Sequence, residues 1–361
     1  MIYKGKDGLL SLYREHYQTT ELHLDKIPRR EWGLNVFSPD LKGWQRNMVF
    51  KDEEELRERL TANRPPAGLF AGTATYLDPN EIDKKRRDLI GFDFVIDLDE
   101  DDVNYENRAD FIGAMRKKTK ALVDRFLVDL GFPLESMQID FSGKKGFHLT
   151  FETEAFRNMD VSSRRQIVDY IMGNKLDRSS LLPSDNLTKY GWSSQMMHFI
   201  GKLVEDPSKE NIEKYFAKKY VKKLGSLFSD PDVIARLKTG SLKDFDKKVL
   251  ISGMMKEHNL TIKNVFDRKP TVDSNRLFRI PGSLHPKSGL PCVRLTRYHL
   301  DSTELIIDQI MEVAGEDEVT IELAEDVEID FPVKKTLSAG QHKIKRYEAL
   351  VALTTECKKK W

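Results

Sequence analysis

A chain of 361 residues, 39% of them hydrophobic, suits one large or two medium domains and is long enough to form a proper core. Its 59 Lys plus Arg stand against 58 Asp plus Glu, so any argument for nucleic acid must come from local clusters rather than net charge. Two cysteines, Cys292 and Cys357, exclude a Cys-rich zinc or iron-sulfur motif built from this chain alone, make a disulfide framework unexpected, and point to the cytosol. With no apolar run near 18 residues and no charged-then-apolar leader, neither a membrane span nor a targeting segment is expected.

Leu9 to Tyr17 suits a first helix. The basic stretch Lys26-Ile-Pro-Arg-Arg-Glu-Trp32 then leads, through an extended or turn segment set by Pro28, into an apolar run ending at Phe37. Asp52 to Leu60 reads as a helix with acids in its first turn, which complements the dipole, and Arg64-Pro-Pro66 stops it. Leu69 to Leu77 looks like a strand.

The run Gly91-Phe-Asp-Phe-Val-Ile-Asp-Leu-Asp99 reads as one strand. Successive side chains alternate between faces, so Asp93, Val95, Asp97 and Asp99 share a face opposite Phe92, Phe94, Ile96 and Leu98. At about 3.3 Å per residue the Cα atoms of Asp97 and Asp99 lie roughly 6.6 Å apart, a span two carboxylates can close around one or two Mg²⁺ ions. Composition alone yields about nine acidic pairs at this spacing, but few would end a hydrophobic strand, where unneutralised carboxylates repel and one tends to keep its proton. From this stretch alone, a metal site and a hydrated strand end are equally good readings.

Phe111, Met115, Leu122, Phe126 and Leu130 fall at spacings of four and seven, the best amphipathic helix in the chain, closed by Gly131-Phe-Pro133. Met137 to Phe141 and Phe147 to Phe151 follow as short strands, so strands alternate with helices as in a mixed sheet covered on at least one side. Between them lies Ser142-Gly-Lys-Lys-Gly-Phe-His148. Its glycines let the backbone approach a ligand, and Lys144 and Lys145 bring charge suited to a triphosphate, although such turns are more often solvated hairpin tips. His148 faces away from Phe147 and Leu149, as a half-exposed sheet histidine also would.

From about residue 156 to 264 the pattern turns helical, including Ser162 to Met172 and a run from Glu210 to Leu224. In that run Lys214, Lys218, Lys219, Lys222 and Lys223 mix with Tyr215, Phe216 and Tyr220, which suits a phosphate backbone or, more commonly, the wet face of an amphipathic helix. Strand-like character returns from Asp267 to Arg279. Within ten residues Arg279, Ser283, His285, Lys287 and Ser288 then sit beside Pro281, Gly282, Pro286 and Gly289, and so many donors on a stiffened backbone favour an anion site over a plain loop. Ser302 to Val313 reads as a helix and Val319 to Leu323 and Val327 to Ile329 as strands; the end, Lys358-Lys-Lys-Trp361, is expected to be mobile.

Taken together, Arg30-Glu31-Trp32, Phe94-Val-Ile-Asp-Leu-Asp99, Ser142-Gly-Lys-Lys-Gly-Phe-His148 and Arg279-Ile-Pro-Gly-Ser-Leu-His285 with Lys287-Ser-Gly289 resemble the catalytic small subunit of archaeal and eukaryotic primases. The resemblance covers most of the chain. It implies an α+β fold, a primase-type catalytic core of mixed sheets flanked by helices. The core would be discontinuous, residues 1–155 and 265–335, with a mainly helical insertion at 156–264 and a C-terminal tail segment at 336–361. It also implies a third carboxylate, Asp267, with Asp273 as the alternative, completing a catalytic and metal-binding set with Asp97 and Asp99. Ser142, Lys144, Lys145 and His148 would bind the incoming triphosphate, Arg279, His285 and Lys287 would hold phosphates or sugar from the other side, and Arg30 would assist.

The implied activity is DNA-dependent primer synthesis, RNA or also DNA, for replication. Its implied requirements are two Mg²⁺ or Mn²⁺ ions, a single-stranded DNA template, nucleoside triphosphates and a large subunit carrying an iron-sulfur cluster. The setting would be the cytoplasm, with the nucleoid in a prokaryote. Two features depart from the family. Lys144 and Lys145 replace its usual arginines, keeping charge but losing the bidentate fork, and residues 104–131 contain no Cys or His, so the structural zinc of many relatives is not expected. The same catalytic set also serves primase-like polymerases of repair or plasmid replication, and paired aspartates serve metal-dependent phosphodiesterases or nucleases; the absence of fused ligase or helicase segments favours the replicative subunit.

Overall fold

The computed structural model describes residues 1–38, 43–101, 105–144, 146–177, 181, 191–238 and 244–358. In chain order the strands are β1 (Ile2–Lys4), β2 (Arg30–Val36), β3 (Gly43–Met48), β4 (Gly68–Tyr76), β5 (Leu89–Phe92), β6 (Phe94–Asp99), β7 (Met137–Phe141) and β8 (Gly146–Phe151). They continue with β9 (Phe266–Asp267), β10 (Leu277–Arg279), β11 (Val293–Leu295), β12 (Glu318–Leu323), β13 (Val327–Ile329), β14 (Lys335–Leu337) and β15 (Gly340–Lys345). The chain divides into two compact units, one of residues 1–117, 135–165 and 267–361, the other of residues 118–134 and 166–266.

The first unit is α+β, as expected. One sheet has the order β10-β4-β2-β3, with β5 also paired to β4, and another has the order β11-β7-β8-β6-β9. A smaller sheet, β1-β12-β15, pairs β1 parallel to β12. The helix Gly5–Thr19 buries Leu9, Leu12, Tyr13 and Tyr17, and the helix Arg346–Cys357 buries Ala349, Leu350 and Leu353. No regular structure after Ile329 was expected from the sequence. There β14 pairs with β13 and β15 with β12, and in the last helix Ala349 to Leu353 is buried without a break, a pattern that carries no amphipathic period.

The apolar run expected as a single strand from Gly91 to Asp99 is two strands in two different sheets, with the break at Asp93. Asp93 is buried and ion-pairs with Arg30 and Arg157, while its amide donates to the Thr73 carbonyl at 3.0 Å. Arg164 satisfies the carbonyls around the switch, donating to Phe92 at 2.6 Å and to Asp93 at 3.0 Å, with its guanidinium 3.6 Å over the Phe92 ring. The chain can therefore leave one ladder for the other without orphaning backbone groups.

In the second unit, helices Gly191–Glu205, Lys209–Tyr215, Lys218–Phe228 and Asp244–His258 bury Phe199, Ile200, Leu203, Ile212, Leu224, Phe228, Leu250 and Met254. Within it, Arg125 grips the Glu257 carboxylate with two bonds of 3.0 Å. The run expected as one helix from Glu210 to Leu224 breaks at Phe216 and Ala217, both extended. Phe216 packs where a side chain on Gly253 would stand, within 2.3 Å of its ring, and that contact holds the break open. The helix expected from Phe111 to Leu130 is α-helical over Arg108–Leu122 and widens to a π turn over Val123–Leu127.

Candidate active site

The antiparallel register of β6, β8, β7 and β11 lines up Asp97, His148, Asp140 and Arg294 across the sheet, and Asp99 with Gly146. Residues opposite one another in a ladder share a face, so this row is a polar stripe on one face of a sheet whose other face carries Ile96, Leu149 and Ile139. Asp97 is largely buried, and among the described residues its Oδ1 has no hydrogen-bond partner. Burial, with Asp99 and Asp267 nearby, raises the Asp97 carboxyl well above its ordinary range against the opposing pull of Arg276. His148 Nε2 lies 3.7 Å from that oxygen. Burial and the Arg279 charge push His148 down to about 3, so at neutral pH the imidazole is uncharged and the contact is not an ion pair.

On either side of Lys145 the segment joining β7 to β8 is closely packed. A side chain on Gly146 would stand 1.7 Å from the Leu98 carbonyl oxygen, and Gly143, at φ +86°, leaves only 3.0 Å to His285 Cβ. Ser142 Oγ accepts from the Gly146 amide at 3.1 Å, and the Lys144 carbonyl accepts from Arg108 at 3.1 Å. Lys145 lies outside the described residues.

The opposing loop is held by its own polar groups. Ser283 Oγ accepts from the Leu69 amide at 2.7 Å and Ser288 Oγ donates to the Gly143 carbonyl at 2.7 Å, tying the two loops together. Arg279 donates to the Leu284 carbonyl at 2.8 Å and lies 4.4 Å over the Phe70 ring, in space that a side chain on Gly68 would fill to within 2.4 Å of Nη1. Burial lowers the Arg279 guanidinium to about 10, and burial with Arg279, Lys144, Arg108 and Lys287 around it holds His285 well below its ordinary value.

Asp97, Asp99, Ser142, His148, Arg279 and His285 converge on one pocket of about 180 Å³, completed by Phe70, Leu277 and Phe278. Six of the residues singled out from sequence thus meet. Asp267 is outside its lining but is one of the charges acting on Asp97, with its own Oδ1 accepting from the Lys269 amide at 3.0 Å. Asp273 instead pairs with Arg276 and accepts from the Asn275 amide. Lys287 is exposed beside His285, and Lys144 acts on His285 through its charge. Arg30 is elsewhere: only 3% exposed, it is taken up by Asp25, Asp93 and the carbonyls of Gly72 and Thr73 in a neighbouring cleft.

Sequence reasoning passed over Asp140, which burial raises to about 6 against its ion pair with Arg294. The signal was the one that marks Asp97, a carboxylate in an apolar strand. Among the described residues no three His, Cys, Asp or Glu side chains stand close enough together to hold an ion as positioned. The partnerless Asp97 oxygen and the mutual repulsion of Asp97, Asp99 and Asp267 are nonetheless what a divalent cation relieves, so these residues fit one.

None of the described helices is long and apolar enough to cross a membrane. The DNA primase small subunit PriS of Methanococcoides burtonii is 28% identical over 341 residues, covering 85% of this chain and 86% of the relative. That of Methanocella arvoryzae is 26% identical over 341 residues, covering 83% and 84%, and that of Thermoplasma volcanium 25% over 364 residues, covering 97% and 96%. The family model described as DNA primase small subunit matches residues 94–297. That segment exceeds half of the chain and carries the paired aspartates and both loops around the pocket, so the chain belongs to the DNA primase small subunit family and is a primase, a nucleotidyltransferase.

Proposed function

We propose that this primase joins nucleotides into short RNA primers on single-stranded DNA, with Asp97, Asp99 and Asp267 holding two Mg²⁺ or Mn²⁺ ions. The 3′-oxygen attacks the α-phosphorus of the next triphosphate, a P–O bond to the departing pyrophosphate breaks, and the hydroxyl proton leaves to solvent. The bound ions would lower the pKa of that hydroxyl and neutralise triphosphate oxygens. Ser142, Lys144, Lys145, His148, Arg279, His285 and Lys287 position the triphosphate. The two histidines, kept uncharged by burial, would donate N–H groups to phosphate oxygens, and Arg279 would supply fixed charge. Arg30 acts on the site indirectly, by anchoring Asp93 where the chain changes sheets.

The observation that carries this reading is the convergence of Asp97 and Asp99 with His148, Arg279 and His285 on a single pocket. The catalytic core is taken as residues 1–155 and 265–335 around a mainly helical insertion at 156–264, with 336–361 as a C-terminal tail segment. Template contact is assigned to basic side chains, and the helical insertion offers Lys218, Lys219, Lys222 and Lys223 for it. The partner is a large subunit bearing an iron-sulfur cluster, and the setting is the cytoplasm. Incubation with Mn²⁺, single-stranded template and labelled nucleotides tests the activity: extension products are expected, and shortened template in their place would mean a nuclease. Asp97→Ala should abolish synthesis while template binding stays within a few-fold; unimpaired synthesis by that variant refutes the assignment.

A further inference from the structure

The pocket at Asp97 is too small for a whole nucleotide. Its volume of about 180 Å³ falls below the roughly 300–1,000 Å³ of sites that enclose a ligand, so a nucleotide bound with its phosphates there would carry its base beyond the pocket. One wall leads outward by aromatic contacts. Arg279, which lines the pocket, lies 4.4 Å over Phe70, and Phe70 meets Trp44 with ring centroids 4.6 Å apart. Arg279, Phe70 and Gly33 are successive partners across β10, β4 and β2, while Trp44 pairs with Asn35, two residues along from Gly33. Gly33 leaves room above it, where a Cβ would meet Leu277 Cδ1 at 2.6 Å and Trp44 at 3.6 Å. Trp44 itself is 49% exposed, although an indole of that size in a sheet ordinarily finds cover.

We propose that Trp44, backed by Phe70, is the platform on which the base of the incoming nucleotide stacks while its triphosphate occupies the Asp97 pocket. The inference rests on the nucleotide reading of that pocket. Stacking uses a π face that every base presents, so it suits an enzyme that must accept all four nucleotides. It also gives the first nucleotide a surface to rest on when there is no primer end beneath it.

Calorimetric titration of the full chain with ATP and Mn²⁺, and separately with tripolyphosphate and Mn²⁺, divides base from phosphate. Trp44→Ala should weaken ATP about tenfold and leave tripolyphosphate within twofold, and Trp44→Phe should restore ATP to within about threefold. Tryptophan emission of the unaltered chain should be quenched by ATP and that of Trp44→Phe should not. Unchanged ATP affinity in Trp44→Ala overturns the platform, and so does a parallel loss of tripolyphosphate, which would mean a merely structural role. Quenching by a single-stranded oligodeoxynucleotide but not by ATP also overturns it, in favour of a template contact. If the unaltered chain binds neither ATP nor tripolyphosphate, the pocket reading itself fails and the platform with it.

Discussion

Asp97 and His148 face each other across β6 and β8 with 3.7 Å between Oδ1 and Nε2, and burial works on them in opposite directions, raising the carboxyl and lowering the imidazole. Each is pushed toward its neutral form. A pair arranged for fold stability would instead be charged and hydrogen-bonded, so this one costs free energy that a bound cation returns.

Asp97→Asn should therefore stabilise the metal-free chain while abolishing synthesis. With its folded pKa raised, Asp97 makes the native state bind more protons than the unfolded one, so its contribution falls as pH rises from the unfolded value through the folded one. At pH 7 the asparagine variant should melt higher without metal, and Mn²⁺ should raise the Tm of the unaltered chain but not of the variant. Calorimetric melting with and without Mn²⁺ checks both.

His16 lies outside the pocket and reports on acid stability. Its Nε2–H donates to the Gly282 carbonyl at 2.7 Å, and burial lowers its pKa to about 4. Here the unfolded state binds more protons, so the stability His16 contributes is whole above about pH 6.5 and is lost as pH falls toward 4. In urea unfolding from pH 7 to pH 4, His16→Gln should remove on the order of 1–3 kcal/mol of that pH dependence.

Gly146→Ala should destabilise by roughly 3 kcal/mol or more, because the added methyl meets backbone, the Leu98 carbonyl, rather than a side chain able to swing away. The loss should appear as a lower denaturation midpoint. Nucleotide binding should weaken as well, since Asp99 lies opposite Gly146.

Arg30→Met separates anchoring from ligand contact. Removing the cation leaves Asp93 facing Arg157 alone and Asp25 with only the exposed Lys26, a loss of about 3–5 kcal/mol for a broken buried pair. Tm should drop sharply, while ATP affinity measured well below the new Tm should stay within about threefold.

Much of this was legible in the sequence. Asp97, Asp99, Ser142, His148, Arg279 and His285 were each marked by a polar group in an apolar strand or a glycine-stiffened turn, and they meet in one pocket. What escaped depended on partners distant in sequence. The break at Asp93 requires Arg30, Arg157 and Arg164, and the break at Phe216 requires Gly253. Arg30 has the residue type of a phosphate ligand, and only its burial beside two carboxylates distinguishes an anchor from a ligand. Trp44 and Phe70 carry no periodic signature, because they meet only through the pairing of β3 and β4 with β2.

The hydroxyl of Ser288 on the carbonyl of Gly143 fastens together two segments separated by 145 positions. A fragment ending before residue 267 would keep Asp97, Asp99 and Gly143 yet lack Arg279, His285 and the bond from Ser288 that holds Gly143. During synthesis of the polypeptide, nucleotide recognition must then be among the last properties to arise, after the acidic strand has long been made.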